Sequence, residues 1–278
     1  MVKVGVHISI AGSLERAVDR AKAVGCDVFQ MFSRSPRGWG FAPLSDETRN
    51  AFIGKIRSSG IMPVDHMPYL PNLASPKPEI YKKSIAALSA ELDRCEQLDI
   101  PFLVTHLGHH LGDGIAGGRS RVIGAINTAL ESSGNVILLL ENTAGEKNSV
   151  GSSFEHIRGI MDGLEKNNRV GVCLDTCHAF AAGYELRTET GIEETLAQFD
   201  DQIGIKNLRI IHLNDSKGDR GSSLDRHEHI GMGFIGEDGF RRILHHPVLS
   251  ALPLICETPV DDRRDDVGNI RKVRELAK

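Results

Sequence analysis

A chain of 278 residues, 40% hydrophobic and 25% charged, has the composition of a globular protein, long enough for one large barrel or two ordinary domains. Its formal charge of −4 excludes a bulk polycation that coats nucleic acid, though not a phosphate substrate met by a local cluster of divalent cations. The longest apolar run, around VILLL, is about six residues against the roughly 20 that a membrane span needs; MVKVGVHI has no signal-peptide layout, and five cysteines without a paired framework read as reduced thiols in a cytoplasmic protein.

In chain order, short β-branched runs occur at VKVGVHI (2–8), VFQMF (28–32), IMPVDH (61–66) and FLVTHL (102–107). VILLLEN (136–142), VGVCLDT (170–176), LRIIHLND (208–215) and LPLICET (252–258) follow. Apolar residues run together in them, as in parallel strands buried on both faces. Helical stripes lie between: Leu14, Val18, Ala21 and Val24 before Gly25; Ile85, Leu88, Leu92 and Cys95; and Val267, Ile270, Val273 and Leu276 at the end. Ser152–Glu155 and Thr190–Glu193 have the capping-box spacing, and Gly60 and Gly134 stand where helices should stop. Eight strands, each followed by a helix, with no low-complexity linker and no sequence repeat, predict one (β/α)8 TIM barrel, a single α/β domain over 1–278. An open doubly wound sheet is the competitor. The first strand lacks a Gly-x-Gly-x-x-Gly turn, which removes that sheet's commonest nucleotide-binding version but not the fold itself.

The ends of these strands carry His7, His66, His106, Glu141, Asp175, His212 and Glu257. One such residue alone is most simply a satisfied structural group. Seven of them, at ends that a barrel gathers into one mouth, point to a metal site. Asp175 has two readings, a helix N-cap or a metal ligand. His178 follows one turn later, on the same side if the chain has entered a helix. LDRHEHIG (224–231) sets Asp225 and His227 two apart on one side of an extended segment, with His229 continuing the register as a substitute. A solvated loop would explain these three equally well. Cys173 and Cys177 lack the CxxC form and read as buried filler.

Imidazole nitrogen mixed with carboxylate oxygen suits zinc or manganese better than an all-oxygen magnesium site. With His7 left aside, the candidates are His66, His106, Glu141, Asp175, His178, His212, Asp225, His227 and Glu257. They are too many for one tetrahedral ion. At roughly three or four protein ligands per catalytic metal, with a shared carboxylate, they suit two or three ions.

HMPYLPNLAS (66–75), LLENTAG (139–145), GVCLDTCHAFAAGY (171–184), HLNDSK (212–217) and DRHEHIGMGFIG (225–236) resemble the endonuclease IV family, the trinuclear-zinc class of apurinic/apyrimidinic endonucleases. The likeness runs from GVHIS near the start to ICETP near the end. It implies a xylose-isomerase-like (β/α)8 barrel with three Zn2+, Mn2+ being an alternative at one or more sites. One ion would be held by His66, His106 and Glu141. A second would share Glu141 and add Asp175, His212 and Glu257, and a third would be bound by His178, Asp225 and His227. The resemblance also implies that Arg37, Tyr69 and Leu70 contact DNA at the lesion. The family's Lys-Asn-x-Arg-x-Trp is here Arg34-Ser35-Pro36-Arg37-Gly38-Trp39, its His-Pro-Gly is His106-Leu107-Gly108, and its Gly-Glu-Gly is Gly231-Met232-Gly233. None of these departures removes a ligand.

The implied activity is DNA repair: hydrolysis of the phosphodiester 5′ to an abasic site in duplex DNA, leaving 3′-hydroxyl and 5′-deoxyribose phosphate ends, with trimming of blocked 3′ ends by the same chemistry. Glu141 would set the metal spacing, and Glu257 would orient or deprotonate the attacking water. Nothing in the sequence calls for an obligate protein partner or a membrane, and a monomer is expected. One rival is a dinuclear-metal sugar isomerase or epimerase of the xylose-isomerase type, which has no evident use for His178, Asp225 and His227. The other is a non-catalytic protein that binds abasic DNA.

Overall fold

The computed structural model describes residues 2–132 and 134–278. Eight parallel strands form the barrel: β1 (Lys3–Val6), β2 (Val28–Met31), β3 (Met62–His66), β4 (Phe102–Thr105), β5 (Ile137–Glu141), β6 (Val170–Asp175), β7 (Leu208–His212) and β8 (Pro253–Cys256). From β2 to β8 each strand pairs in parallel with the next, and β8 pairs with β1. The seam between β1 and β2 closes through a parallel bridge from His7 to Gln30, with Ile8 N–H donating to the Gln30 carbonyl at 2.6 Å. Gly5 permits that seam: a Cβ there would fall 1.5 Å from the Val28 carbonyl oxygen.

The outer helices are α1 (Arg16–Val24), α2 (Asp46–Ser59), α3 (Pro78–Gln97), α4 (Ile115–Ser132), α5 (Phe154–Met161), α6 (Thr176–Ala182), α7 (Glu189–Gln202), α8 (Gly236–His245) and α9 (Asp266–Leu276). The expected stripes face the sheet, except that Val267 is exposed at the start of α9. Gly60 ends α2 in the left-handed conformation, φ 68°. The two expected capping boxes are displaced. Ser153, not Ser152, caps α5 by accepting from His156 N–H, and Thr188, not Thr190, caps α7 by accepting from Gly191 N–H. In each case the backbone is still extended at the true cap, and the hydroxyl three residues before a free amide takes it.

The barrel is filled by its own small core, Val28, Val64, Val104, Leu139, Cys173, Ile210 and Ile255, one from each of seven strands. A larger core lies between sheet and helices. Side chains alternate faces along a strand, so the residue two past each inner-core position points the same way, up the barrel axis. Those residues are Gln30, His66, His106, Glu141, Asp175, His212 and Glu257. The inner core therefore aims the polar residues at one mouth.

β7 stops at His212, short of the expected 215. Asp215–Ser216 then pairs antiparallel with His227–Glu228, and this ribbon folds the following segment back toward the mouth. Among the described residues no helix is long and apolar enough to cross a membrane.

Candidate metal centre

Glu141, fully buried at the end of β5, stands at the middle of the mouth. Its Oε2 lies 3.2 Å from His66 Nε2 and 3.4 Å from His106 Nε2. Its Oε1 lies 3.0 Å from His212 Nδ1, which is also 3.1 Å from Glu257 Oε2. The two carboxylate oxygens thus face different sets of rings. Asp175 does both things its sequence position allowed. Its Oδ1 caps α6 by accepting from His178 N–H at 2.8 Å, and its Oδ2 turns to the mouth, 3.6 Å from His227 Nε2. His178 Nε2 lies 3.2 Å from Asp225 Oδ1 and 3.4 Å from His227 Nε2.

The nine expected side chains fall into three groups: His66, His106 and Glu141; Glu141, Asp175, His212 and Glu257; His178, Asp225 and His227. Within each group the potential ligand atoms all lie within 4.8 Å of one another. A fourth grouping, Asp175, Cys177 and His227, overlaps the others. Burial pushes the thiol of Cys173 up to about 12 and that of Cys177 upward too, so neither offers a thiolate at neutral pH.

The test of fit for a cation is which way the rings are turned. His66 Nδ1 lies 2.7 Å from the Met67 carbonyl, His178 Nδ1 3.0 Å from the Asn142 carbonyl, and His227 Nδ1 3.0 Å from the Glu257 carbonyl. A carbonyl only accepts, so each Nδ1 carries the proton and each Nε2 turns a lone pair inward. His212 is reversed: its Nε2 donates to Gln30 Oε1 at 2.8 Å, leaving Nδ1 toward Glu141 and Glu257. Lone pairs therefore meet lone pairs across the mouth. Such an arrangement needs a proton or a metal between the groups, and outer hydrogen bonds of this kind are what hold metal-ligating imidazoles in place.

Protons fill that need when no cation does. Burial would raise the Glu141 carboxyl, but the imidazoles of His106, His212 and His66 overcome it and hold the group well below its usual range. Glu257 is likewise raised by burial and brought well down by His212. Burial lowers His66, His178 and His212, yet the surrounding carboxylates push all three above 6.5. His106 is lowered by burial, and Asp225 is lowered by its hydrogen bond from His178.

Gln30, Asn142 and Asn214 act here although they were not singled out from the sequence. Gln30 Nε2 donates to Glu257 Oε1 at 2.7 Å, Asn142 Oδ1 accepts from Asp175 N–H, and Asn214 Nδ2 donates to Asp175 Oδ2 at 2.6 Å. The available signal was an amide inside an apolar strand, which must find partners when buried. His229 is a correction. The ribbon ends at Glu228, so the period-two register stops there, and His229 instead packs between Asp261 and Asn269, away from the groups. His7 also stays outside them, its ring tilted at 57° to that of Phe32 with centroids 4.4 Å apart, and burial lowers it to about 4.

A cavity of about 430 Å3 opens over the groups, lined by Tyr69, His106, His178, Lys217, Asp225 and Glu257. Tyr69 is 67% exposed with its ring 5.8 Å from that of His106, and Leu70 beside it is 42% exposed. Arg37 stands exposed on the loop between β2 and α2. A larger cavity, about 520 Å3, lies at the opposite end of the barrel near Arg158, Lys206 and Arg209, but no ligand group borders it.

A family model described as a xylose isomerase-like TIM barrel matches residues 18–278. A curated relative from Methanoculleus marisnigri, "Probable endonuclease 4", is 62% identical over 100% of this chain and 99% of its own. One of the same name from Nitrosopumilus maritimus is 48% identical over 99% of this chain and 100% of its own. The crystal structure of endonuclease IV from Thermus thermophilus superposes with a TM-score of 0.88 at 35% identity, covering 99% of this chain and 98% of that one. A D-tagatose 3-epimerase-like protein shares the fold at 18% identity and a TM-score of 0.74, covering 99% of this chain and 96% of that chain.

Proposed function

The chain belongs to the endonuclease IV family, and from that premise we propose that it hydrolyses the phosphodiester 5′ to an abasic deoxyribose in duplex DNA, with three zinc ions held at the barrel mouth. The observation that carries this reading is the pair of Nε2 atoms of His178 and His227, 3.4 Å apart, each with its proton committed to a carbonyl on the far side of the ring. Two lone pairs so placed favour a cation between them. This third group is also what a two-ion sugar isomerase would leave idle, so the shared barrel of the epimerases does not carry their chemistry here.

His66, His106 and Glu141 would hold one ion, Glu141, Asp175, His212 and Glu257 a second, and His178, Asp225 and His227 a third. Zinc in these places supplies Lewis acidity, which makes hydroxide available near neutral pH and offsets charge building on the phosphate. Glu141, with an oxygen toward each of two groups, fixes the spacing between them. Glu257, held by a hydrogen bond from Gln30 on Oε1 and facing His212 with Oε2, would also orient or deprotonate the attacking water. All five cysteines are buried, and no side-chain nucleophile is required.

Tyr69 and Leu70, exposed beside the cluster, would wedge into the stack at the lesion, and Arg37 would contact the backbone or minor groove. An abasic nucleotide has no base to unstack, so its extrusion costs up to a few kcal/mol less than that of a normal one. Binding would rest on phosphate contacts and weaken as salt rises. Blocked 3′ ends would be trimmed by the same chemistry, and one barrel would carry the whole activity as a monomer. Free buried thiols suit a reducing cytoplasm. The test is a duplex carrying one tetrahydrofuran analogue, which cannot undergo β-elimination. Metal-loaded protein should cut it 5′ to the analogue and leave a 3′-hydroxyl. Intact duplex, or ketose turnover with two ions per chain, would remove the reading.

A further inference from the structure

Behind the loop that carries Arg37 lies a second set of buried charges, facing α3 rather than the mouth. Arg34, 5% exposed, donates from Nε to Glu91 Oε1 at 2.7 Å, and Glu91 on α3 is fully buried. The other end of the same guanidinium, Nη1, donates to the Gly38 carbonyl at 2.7 Å and reaches the Ser35 carbonyl at 3.4 Å. Arg34 therefore closes the turn from residue 34 to 38, whose exposed outer side holds Arg37. Its guanidinium also lies 4.1 Å over the Phe41 ring. Ser33 Oγ donates to Glu91 Oε2 at 3.0 Å, and Arg94 donates from Nε to the Ser33 carbonyl and from Nη1 to the Ala42 carbonyl. One oxygen of Asp65 accepts both the Ser33 and the His66 amide, at 2.8 and 3.0 Å, so this loop is tied to the backbone of a ligand group.

A buried ion pair gives little net stability, because desolvating both charges offsets their attraction. What this pair does give is direction. A planar guanidinium bonded through both Nε and Nη1 fixes a loop in a way that a single-point ammonium cannot.

We propose that Arg34 and Glu91 are positioning residues, which lock the loop after β2 so that Arg37 meets the lesion-bearing duplex at a fixed offset from the ligand groups. This rests on the reading of Arg37 as a DNA contact. The pair touches neither substrate nor reacting atoms. It acts by removing the conformations of residues 35–38 that would otherwise have to be lost on binding, which is how preorganisation raises affinity.

The experiment is a double-mutant cycle on the metal-loaded full chain. Glu91→Gln and Arg34→Lys are each made alone and with Arg37→Ala. Affinity for a fluorescent tetrahydrofuran duplex, KM and kcat for its incision, and zinc per chain are measured. Each single brace variant should raise Kd and KM about tenfold, while kcat stays within about twofold and zinc is unchanged. In the Arg37→Ala background the same substitutions should change Kd by less than about twofold, since nothing is left to aim. Equal losses in both backgrounds would overturn the proposal, because the pair would then act through general stability. Wild-type affinity in Arg37→Ala itself would also overturn it, while intact incision by the native protein would leave the enzymatic reading standing. Should Glu91→Gln fail to fold, Arg34→Lys keeps a positive charge beside Glu91 and carries the test.

Discussion

Asp65 and His66 are neighbours on β3 and face opposite ways, each into a cluster of buried charge. On the helix side, acceptors meet donors: Asp65 takes the Ser33 and His66 amides and the Cys95 thiol, and Glu91 takes Arg34 and Ser33. On the mouth side acceptors meet acceptors, as where His66 Nε2 faces Glu141 Oε2 at 3.2 Å with its own proton held by Met67. Burial and charge are alike in the two places. Only the mouth leaves lone pairs converging without donors, and that is what separates a cation-binding geometry from a structural network.

If this contrast is sound, the sharpest break comes from Glu141→Gln. An amide leaves the shape but loses one anionic oxygen shared between two groups. Incision of the tetrahydrofuran duplex should fall by at least about a thousandfold, at or beyond the top of what losing one electrostatic contact costs. Zinc per chain, measured by atomic absorption, should drop, and the circular dichroism spectrum should stay native. Near-normal turnover would end the bridging role. Asp225→Asn touches only the third group, at its more exposed edge. It should cost about 10–100-fold in rate and one zinc of three. Loss of all three ions would show that the groups are not separable as drawn.

Proton competition gives a smaller, graded effect. In the metal-free protein His66, His178 and His212 hold protons above the ordinary histidine value, and a metal must displace them. Zinc affinity should therefore fall as pH falls, by about tenfold per pH unit for each proton displaced, and loading should release protons into a weakly buffered solution. A competition titration at several pH values reads this directly. A pH-independent affinity would mean that these rings do not change protonation on loading.

The two clusters were not equally legible in the sequence. The mouth could be read because a strand is periodic: an apolar inner-core residue followed two places later by His, Asp or Glu recurs on six strands, and a closed barrel brings those ends together. The groups that turn the rings could not be read that way. Gln30 and His212 are 182 residues apart, and nothing local says that one amide will choose that imidazole. The helix caps were misplaced for a related reason, since Ser152 and Ser153, or Thr188 and Thr190, offer the same hydroxyl, and only the backbone at the start of the helix selects between them. Glu91 was visible but unread. It lies on the same helical face as Leu88, Leu92 and Cys95, where a carboxylate must have a partner.

Asp65→Asn sharpens the contrast from the structural side, with the smallest effect. Burial and the nearby Glu91 raise the Asp65 carboxyl from 3.8 to about 7, despite hydrogen bonds that oppose the shift. Between those values the folded protein keeps a proton that the unfolded chain has released. The folded state then binds more protons, so stability falls as pH rises through this window and levels off above about 7. The slope from one such group is at most about 1.4 kcal/mol per pH unit. Asparagine can keep both backbone bonds, since the Ser33 and His66 amides share one oxygen, and its amide nitrogen can face Cys95. The variant should therefore flatten the loss of stability between about pH 4 and 7, gain most over the native protein at pH 8, and bind the same zinc. Denaturant melts across that range would show it. An unchanged slope would mean that Asp65 is ionised throughout and that the helix-side network, like the mouth, holds a charge it has not matched.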